Sequence, residues 1–243
     1  MKVPIFCVPY AGGSARAYEC WRTAAGDGEV IRPLDLPGRG ALAGAVARSV
    51  PEAAVSVSAS IADEVRHGPP YVLFGHSLGA LVVFEMAVTR HALGLPKPAL
   101  VVVSGRNAPT TPPEWARRAS VLTDADLFEE LRANGGIPSG LSRSIAAQYF
   151  LPRLRADLRM AAGYRVNPAR HRIDAPLLVL HGEDDPLVTP AAAAAWQEFT
   201  NDHCTVETHA GGHFAILRQF PEVARLIHSA LSDAVPENAV QGA

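Results

Sequence analysis

Five short apolar runs set the terms on which this chain folds: Val3–Val8, Val30–Leu34, Tyr71–Phe74, Leu100–Val103 and Leu177–His181. Each is rich in Val, Ile or Leu and bounded by Gly or Pro. They are apolar in succession rather than alternately, which is the pattern of strands buried on both faces in a parallel sheet. Cys204–Thr208 is a weaker sixth candidate. Helical stretches lie between them at Pro51–Arg66, Leu78–His91, Pro190–Phe199 and Pro221–Leu231, three of them opening on a proline, which the first helical turn tolerates. Strand and helix in alternation give an α/β class with a mostly parallel sheet and helices on both faces.

The rhythm breaks between Arg106 and about Arg172, where no strand pattern is found. Two helical pieces, Asp124–Asn134 and Ser142–Tyr164, are separated by Asn134-Gly135-Gly136 and Pro138. This reads as a helical lid insertion between two strands, of the kind that covers an active site. With 243 residues, no repeat and no low-complexity linker, the expectation is one domain over 1–243. The polar, small-residue tail Val235–Ala243 is expected to fray.

Charge narrows the function. Lys and Arg total 22 against 24 Asp and Glu, a net −2, and a general electrostatic grip on nucleic acid needs a basic excess. No apolar run approaches the roughly 18 residues that span a membrane. The run Met1–Cys7 is too short for a signal-peptide core, so the expected location is the cytoplasm. Cys7, Cys20 and Cys204 are odd in number and lack C-x-x-C spacing, which fits reduced thiols, with Cys7 expected in the core. A monomer is the default expectation.

The chemistry centres on Gly75-His76-Ser77-Leu78-Gly79, a G-x-S-x-G pattern. An apolar strand runs in and an apolar helix runs out, the setting of a nucleophile elbow. Ser77 must then sit on a sharp, strained turn, and the flanking glycines let strand and helix approach closely. A serine needs a base, and the base needs an acid, in the chain order Ser, acid, His. His213, in Ala210-Gly211-Gly212-His213-Phe214, lies on a glycine-flanked loop before a helix. His203 and His209 belong to the candidate strand region and His228 to the last helix. The acid follows the strand Leu177–His181 in Gly182-Glu183-Asp184-Asp185-Pro186; strand then G-x-x-D selects Asp185, with Glu183 and Asp184 as rivals. The turn after Leu100–Val103, Ser104-Gly105-Arg106-Asn107, has no carboxylate. His181, Asp184, Asp185 and His213 lack the spacing of a metal site such as H-E-x-x-H, so no metal is expected.

A tetrahedral oxyanion needs two backbone donors. One is the amide of Leu78, the residue after the nucleophile. The other is expected from the Gly-rich loop Val8-Pro9-Tyr10-Ala11-Gly12-Gly13-Ser14, at Ala11, with Tyr10 and Gly12 as rivals. That loop matches neither G-x-G-x-x-G nor G-x-x-x-x-G-K-[ST], which argues against nucleotide binding.

At this point the sequence resembles a known family, the type II thioesterases, discrete editing hydrolases of polyketide and nonribosomal peptide synthases. The likeness runs from about Ile5 to about Leu231. It is carried by Phe6–Ser14, by Leu36-Pro37-Gly38-Arg39, by Phe74–Ala80 and by Gly211-Gly212-His213-Phe214. Val103-Ser104-Gly105-Arg106, Ala108-Pro109, Leu131 and Gly135-Gly136 add to it. The family often has an acidic residue after L-P-G-R, where this chain has Gly40. The resemblance implies an α/β-hydrolase fold and hydrolysis of acyl thioesters on the phosphopantetheine arm of acyl or peptidyl carrier protein domains, through Ser77, Asp185 and His213. It implies no cofactor beyond that arm, which belongs to the substrate. The same triad would serve a generic carboxylesterase or an acyltransferase, and a non-catalytic binding protein on this fold is the reading from another class. Arg153, Arg155 and Arg159 recur at near-helical spacing, as a solvated helix face or as a contact for an acidic carrier. Trp21, Trp115 and Trp196 read as packing groups.

Overall fold

The computed structural model describes residues 2–25, 29–44, 46–137, 140–169 and 171–233. Pro138 and the tail Val235–Ala243 lie outside them. Six strands form one sheet: β1 (Pro4–Val8), β2 (Val30–Pro33), β3 (Val72–His76), β4 (Leu100–Ser104), β5 (Leu177–Gly182) and β6 (Cys204–His209). Their order is β2-β1-β3-β4-β5-β6. Every pairing is parallel. All six carboxyl ends therefore meet along one edge, where α/β folds place their sites.

The continuous apolar runs have their explanation in the two faces. Ile5, Cys7, Phe74, Val102 and Leu180 point into one core cluster with Trp21 and Val223. Phe6, Val8, Leu73, Val101 and Val179 point into the other, with Val57, Leu81 and Trp196. Helices α1 (Glu19–Ala25) and, at the far end of the chain, Phe220–Asp233 cover the first face, while α2 (Val50–His67) and α3 (Leu78–Thr89) cover the second. Ten successive residues of α3, Leu78–Ala87, are buried, which is why its sequence is apolar all round. Ser49 caps α2 by accepting from the Glu52 amide, with Pro51 in the first turn.

Between β4 and β5 the described residues hold helices joined by loops and no named strand, as expected. They form α4 (Glu114–Ala119), α5 (Asp124–Ala133), α6 (Arg143–Ile145), a π-helical stretch Ala146–Phe150, and α7 (Leu151–Gly163). The helix expected over Ser142–Tyr164 thus runs over Arg143–Gly163 with a π-helical stretch inside it. Pro152 has no N–H for the carbonyl of Gln148, and the helix widens just ahead of it. The stretch Pro190–Phe199 is α-helical as α8 (Pro190–Ala194) and then tightens to 3₁₀ over Ala195–Phe199. The final helix, Phe220–Asp233, is α9. No helix among the described residues is long and apolar enough to cross a membrane.

Candidate active site

β3 continues two residues past the apolar run, pairing Gly75 with Val103 and His76 with Ser104. Ser77 follows at once, and α3 starts at Leu78. Ser77 has φ 56° and ψ −108°, the one positive φ outside glycine among the described residues. That is a strained conformation for an L-residue, of the kind surrounding structure must hold in place. Its amide donates to the Ser104 carbonyl at 2.8 Å. The two flanking glycines are steric necessities. A Cβ on Gly75 would stand 2.2 Å from the Gly79 carbonyl oxygen, and one on Gly79 would stand 2.2 Å from that of Val8.

Asp185 and His213 come from the loops after β5 and β6. Glu183 N donates to His209 O at 2.9 Å and Asp184 N to Gly211 O at 3.2 Å, which ties the two loops together. A side chain on Gly182 would meet the Gly211 carbonyl oxygen at 2.2 Å. The His213 Nδ1–H donates to Asp185 Oδ2 at 2.7 Å, and Asp185 Oδ1 accepts from the Leu187 amide at 2.9 Å. Both side chains are buried, at 4% and 1% exposure. Of the rivals, Glu183 and Asp184 are exposed. His203 is exposed beside Asp202, His209 contacts the Ala210 carbonyl, and His228 pairs with Glu29.

Ser77 and His213 line one cavity of about 760 Å³, together with Ala11, Leu78, Arg106 and Trp115. Leu78 is the first residue of α3, so its amide belongs to the helix N-terminus, where donors lack an intrahelical partner. The loop after β1 is a turn closed by Gly13 N donating to Tyr10 O at 2.9 Å. Gly12 has φ +79° there, and its amide is engaged by Asp157 at 2.7 Å. Among the described residues the Ala11 amide donates to no protein group.

Two groups in this region escaped the sequence reading. His76, the variable position of the elbow, is fully buried behind His213, with Nδ1 3.1 Å from Ser104 Oγ. Burial first, and then the neighbouring His213 and His209, hold its pKa well below the usual histidine value, so it is neutral. Arg106 lines the cavity with no carboxylate partner among the described residues, and burial alone pulls its guanidinium down to about 10. It is still cationic at neutral pH. Trp115 is more than packing: it lines the cavity and donates Nε1–H to Glu130 Oε1 at 2.7 Å. Trp21 and Trp196 are fully buried, as expected. Cys7 is buried in the core, which pushes its thiol well above the usual range. Arg155 is committed to Asp124 and the Ser120 carbonyl, while Arg153 and Arg159 are exposed. Gly40 has φ +49°, and a side chain there would collide with the Asp35 carboxylate at 1.9 Å. No group of three or more His, Cys, Asp or Glu among the described residues is placed to hold a metal ion.

Residues 3–231 match the thioesterase domain family. The chain belongs to that family. This thioesterase is 31% identical over 217 residues to the gramicidin S biosynthesis protein GrsT of Aneurinibacillus migulanus, covering 88% of this chain and 82% of the relative. It is 32% identical over 237 residues to a probable cadicidin biosynthesis thioesterase of Streptomyces griseus, covering 93% of this chain and 63% of the relative. Among solved structures, RedJ, a thioesterase from the prodiginine biosynthetic pathway in Streptomyces coelicolor, superposes with TM-score 0.79 at 32% identity, over 96% of this chain and 85% of RedJ. The type II thioesterase BorB from the borrelidin biosynthetic cluster gives TM-score 0.79 at 31% identity, over 95% and 93%. The thioesterase is thus a hydrolytic enzyme with the α/β-hydrolase fold.

Proposed function

We propose that this thioesterase clears acyl groups from the phosphopantetheine arms of carrier proteins in a nonribosomal peptide or polyketide synthase, acting as a cytoplasmic monomer. The observation that carries the reading is the buried Asp185–His213 pair opening on the same cavity as the strained Ser77. The biosynthetic relatives support the pathway assignment.

In this mechanism His213 takes the proton of Ser77 Oγ as the oxygen attacks the thioester carbonyl carbon. Asp185 holds the imidazole with Nδ1–H directed away from the serine, leaving Nε2 as the base, and stabilises the imidazolium that forms. The amides of Leu78 and Ala11 receive the oxyanion. The preference for Ala11 over Gly12 is supported by the engagement of the Gly12 amide elsewhere. Collapse breaks the C–S bond, and the thiol of the arm leaves with the proton from His213. Water, deprotonated by His213, then attacks the acyl-serine and releases a free acid, restoring Ser77. The insertion α4–α7 forms one wall of the acyl site.

The test is deacylation of carrier proteins bearing acetyl, propionyl, longer acyl and aminoacyl groups, followed by intact-protein mass spectrometry. Wild type is expected to clear short groups faster than it cleaves aryl esters, and Ser77→Ala to clear none. Good ester cleavage with carrier-bound acyl groups left intact would replace this reading with a generic esterase.

A further inference from the structure

The L-P-G-R segment has a physical task that its sequence does not announce. Arg39 lies in the loop after β2, Asp157 on α7 of the insertion, and Gly12 and Gly13 in the loop after β1. The three segments meet in one buried cluster. Arg39 Nη2 donates to both carboxylate oxygens of Asp157, at 2.7 and 2.8 Å. Arg39 Nη1 donates to the Gly13 carbonyl at 2.7 Å, and the Gly12 amide donates to Asp157 Oδ2 at 2.7 Å. The two side chains are 3% and 2% exposed.

We infer that Arg39 and Asp157 are positioning residues that fix the direction of the Ala11 amide by holding the two residues that follow it. This rests on the assignment of Ala11 as an oxyanion donor. Ala11 sits at the second position of the turn closed between Tyr10 and Gly13. With the Gly12 amide and the Gly13 carbonyl both tied down, that turn has little freedom left, and the amide of Ala11, a residue that lines the cavity, keeps one direction. The catalytic worth of an oxyanion donor depends on its being aimed beforehand.

Two features argue that the pair is there for placement rather than for stability. Burying two charges is costly, and a well-packed apolar pair would often serve stability as well or better. Here the satisfaction is also incomplete, since Arg39 Nε is buried without a partner. The pairing has an electrostatic side as well. A bare carboxylate one residue from an oxyanion donor would oppose the negative charge developing on the substrate. Arg39, bound to both of its oxygens, cancels that field. The insertion also packs close to this loop, since a Cβ on Gly12 would approach Phe150, at the end of the π-helical stretch, to 2.9 Å and Leu154 of α7 to 3.4 Å.

The experiment compares wild type with Asp157→Asn and the conservative Arg39→Lys, each verified as folded by calorimetry. On an acylated carrier, kcat is expected to fall about 10- to 100-fold, the scale of a small misplacement, with KM within about twofold. An alkylboronic acid, which forms a tetrahedral adduct on the serine, is expected to lose affinity by the same factor as kcat. Proton–nitrogen NMR of the wild type supplies a readout independent of turnover and of variant folding: the Gly12 amide is expected to exchange slowly. Folded variants with kcat within twofold of wild type, a change in KM alone, or rapid exchange at Gly12 would overturn the inference. If wild type shows no Ser77-dependent hydrolysis, the functional reading fails and the oxyanion role falls with it, while slow exchange at Gly12 would still separate a real anchor from a failed one.

Discussion

The ring of His76 lies 4.8 Å from the ring of His213, with the two planes tilted by 46°. A Cβ on Gly105 would come within 2.4 Å of the first ring and 3.2 Å of the second. Gly105 at φ +60° thus leaves room for a pair of imidazoles packed behind the serine. His213 is held in front by Asp185 and backed by an uncharged ring.

That neutral ring gives a pH signature. The folded pKa of His76 is depressed, chiefly by burial, so the unfolded chain takes up the proton first as pH falls. His209 shifts in the same direction, also chiefly by burial. Their contribution to stability is complete above about pH 6.5 and is lost below it, by up to about 1.4 kcal/mol per pH unit for each group. Melting temperature followed from about pH 8 to about pH 5 is expected to decline more steeply in wild type than in His76→Asn. Parallel curves would show that His76 does not titrate on unfolding.

Removing the charge of Asp185 tests the orienting contact. Asp185→Asn keeps the size of the side chain and the acceptor for the Leu187 amide but offers His213 no carboxylate. Thioester turnover is expected to drop about 1,000- to 10,000-fold with the fold intact. Steady-state kinetics beside Glu183→Gln and Asp184→Asn, both exposed and expected within twofold of wild type, decide among the three acids.

At the elbow, Gly79→Ala is expected to cost at least about 3 kcal/mol, because the atoms it meets are the Val8 and Pro9 carbonyl oxygens, which are main chain. That corresponds to a fall in Tm of roughly 6–12 °C for a chain of this size. Gly163→Ala, with nothing within 4 Å of the new methyl group, is the control and is expected within about 0.5 kcal/mol of wild type.

Arg106 offers a trade between stability and use. A cation with no carboxylate partner among the described residues, pulled down to about 10 by burial, is a liability to the folded state. Arg106→Met is expected to raise Tm by a few degrees, measured by calorimetry at neutral pH. An unchanged or lower Tm would mean that the guanidinium is better solvated in the cavity than its burial suggests.

The sheet was legible because β1, β3, β4 and β5 are buried throughout and so carry unbroken apolar runs, while the edge strand β2 was read from Val30-Ile31 and its proline although only Ile31 is buried. β6 was fainter because it is an edge strand, and only His209 is buried within it. The end of β3 was misread as turn, since Gly75 and His76 pair with β4 despite their composition. The six-residue α4 and seven-residue α1 are too short to establish a period. Ser77, Asp185 and His213 could be singled out because each follows a strand end in a motif with its own turn residues, and the structure brings Asp185 to His213 and puts Ser77 and His213 on one cavity. The contact of Arg39 with Asp157 had no such signal. It joins positions 118 residues apart, and neither neighbourhood names the other.

The Gly12–Asp157 hydrogen bond spans 145 residues of sequence. A ribosome releases the β1 loop early and α7 much later, and contacts of such long range form late in folding. The nascent chain therefore carries Ser77 for 80 residues of its synthesis before Asp157, the brace of the loop opposite, is made. Completion of the insertion is still not the last step, because Asp185 and His213 follow α7 in the chain, and a molecule stalled or clipped ahead of α7 would present Ser77 without the histidine, the aspartate or the braced loop of the proposed site.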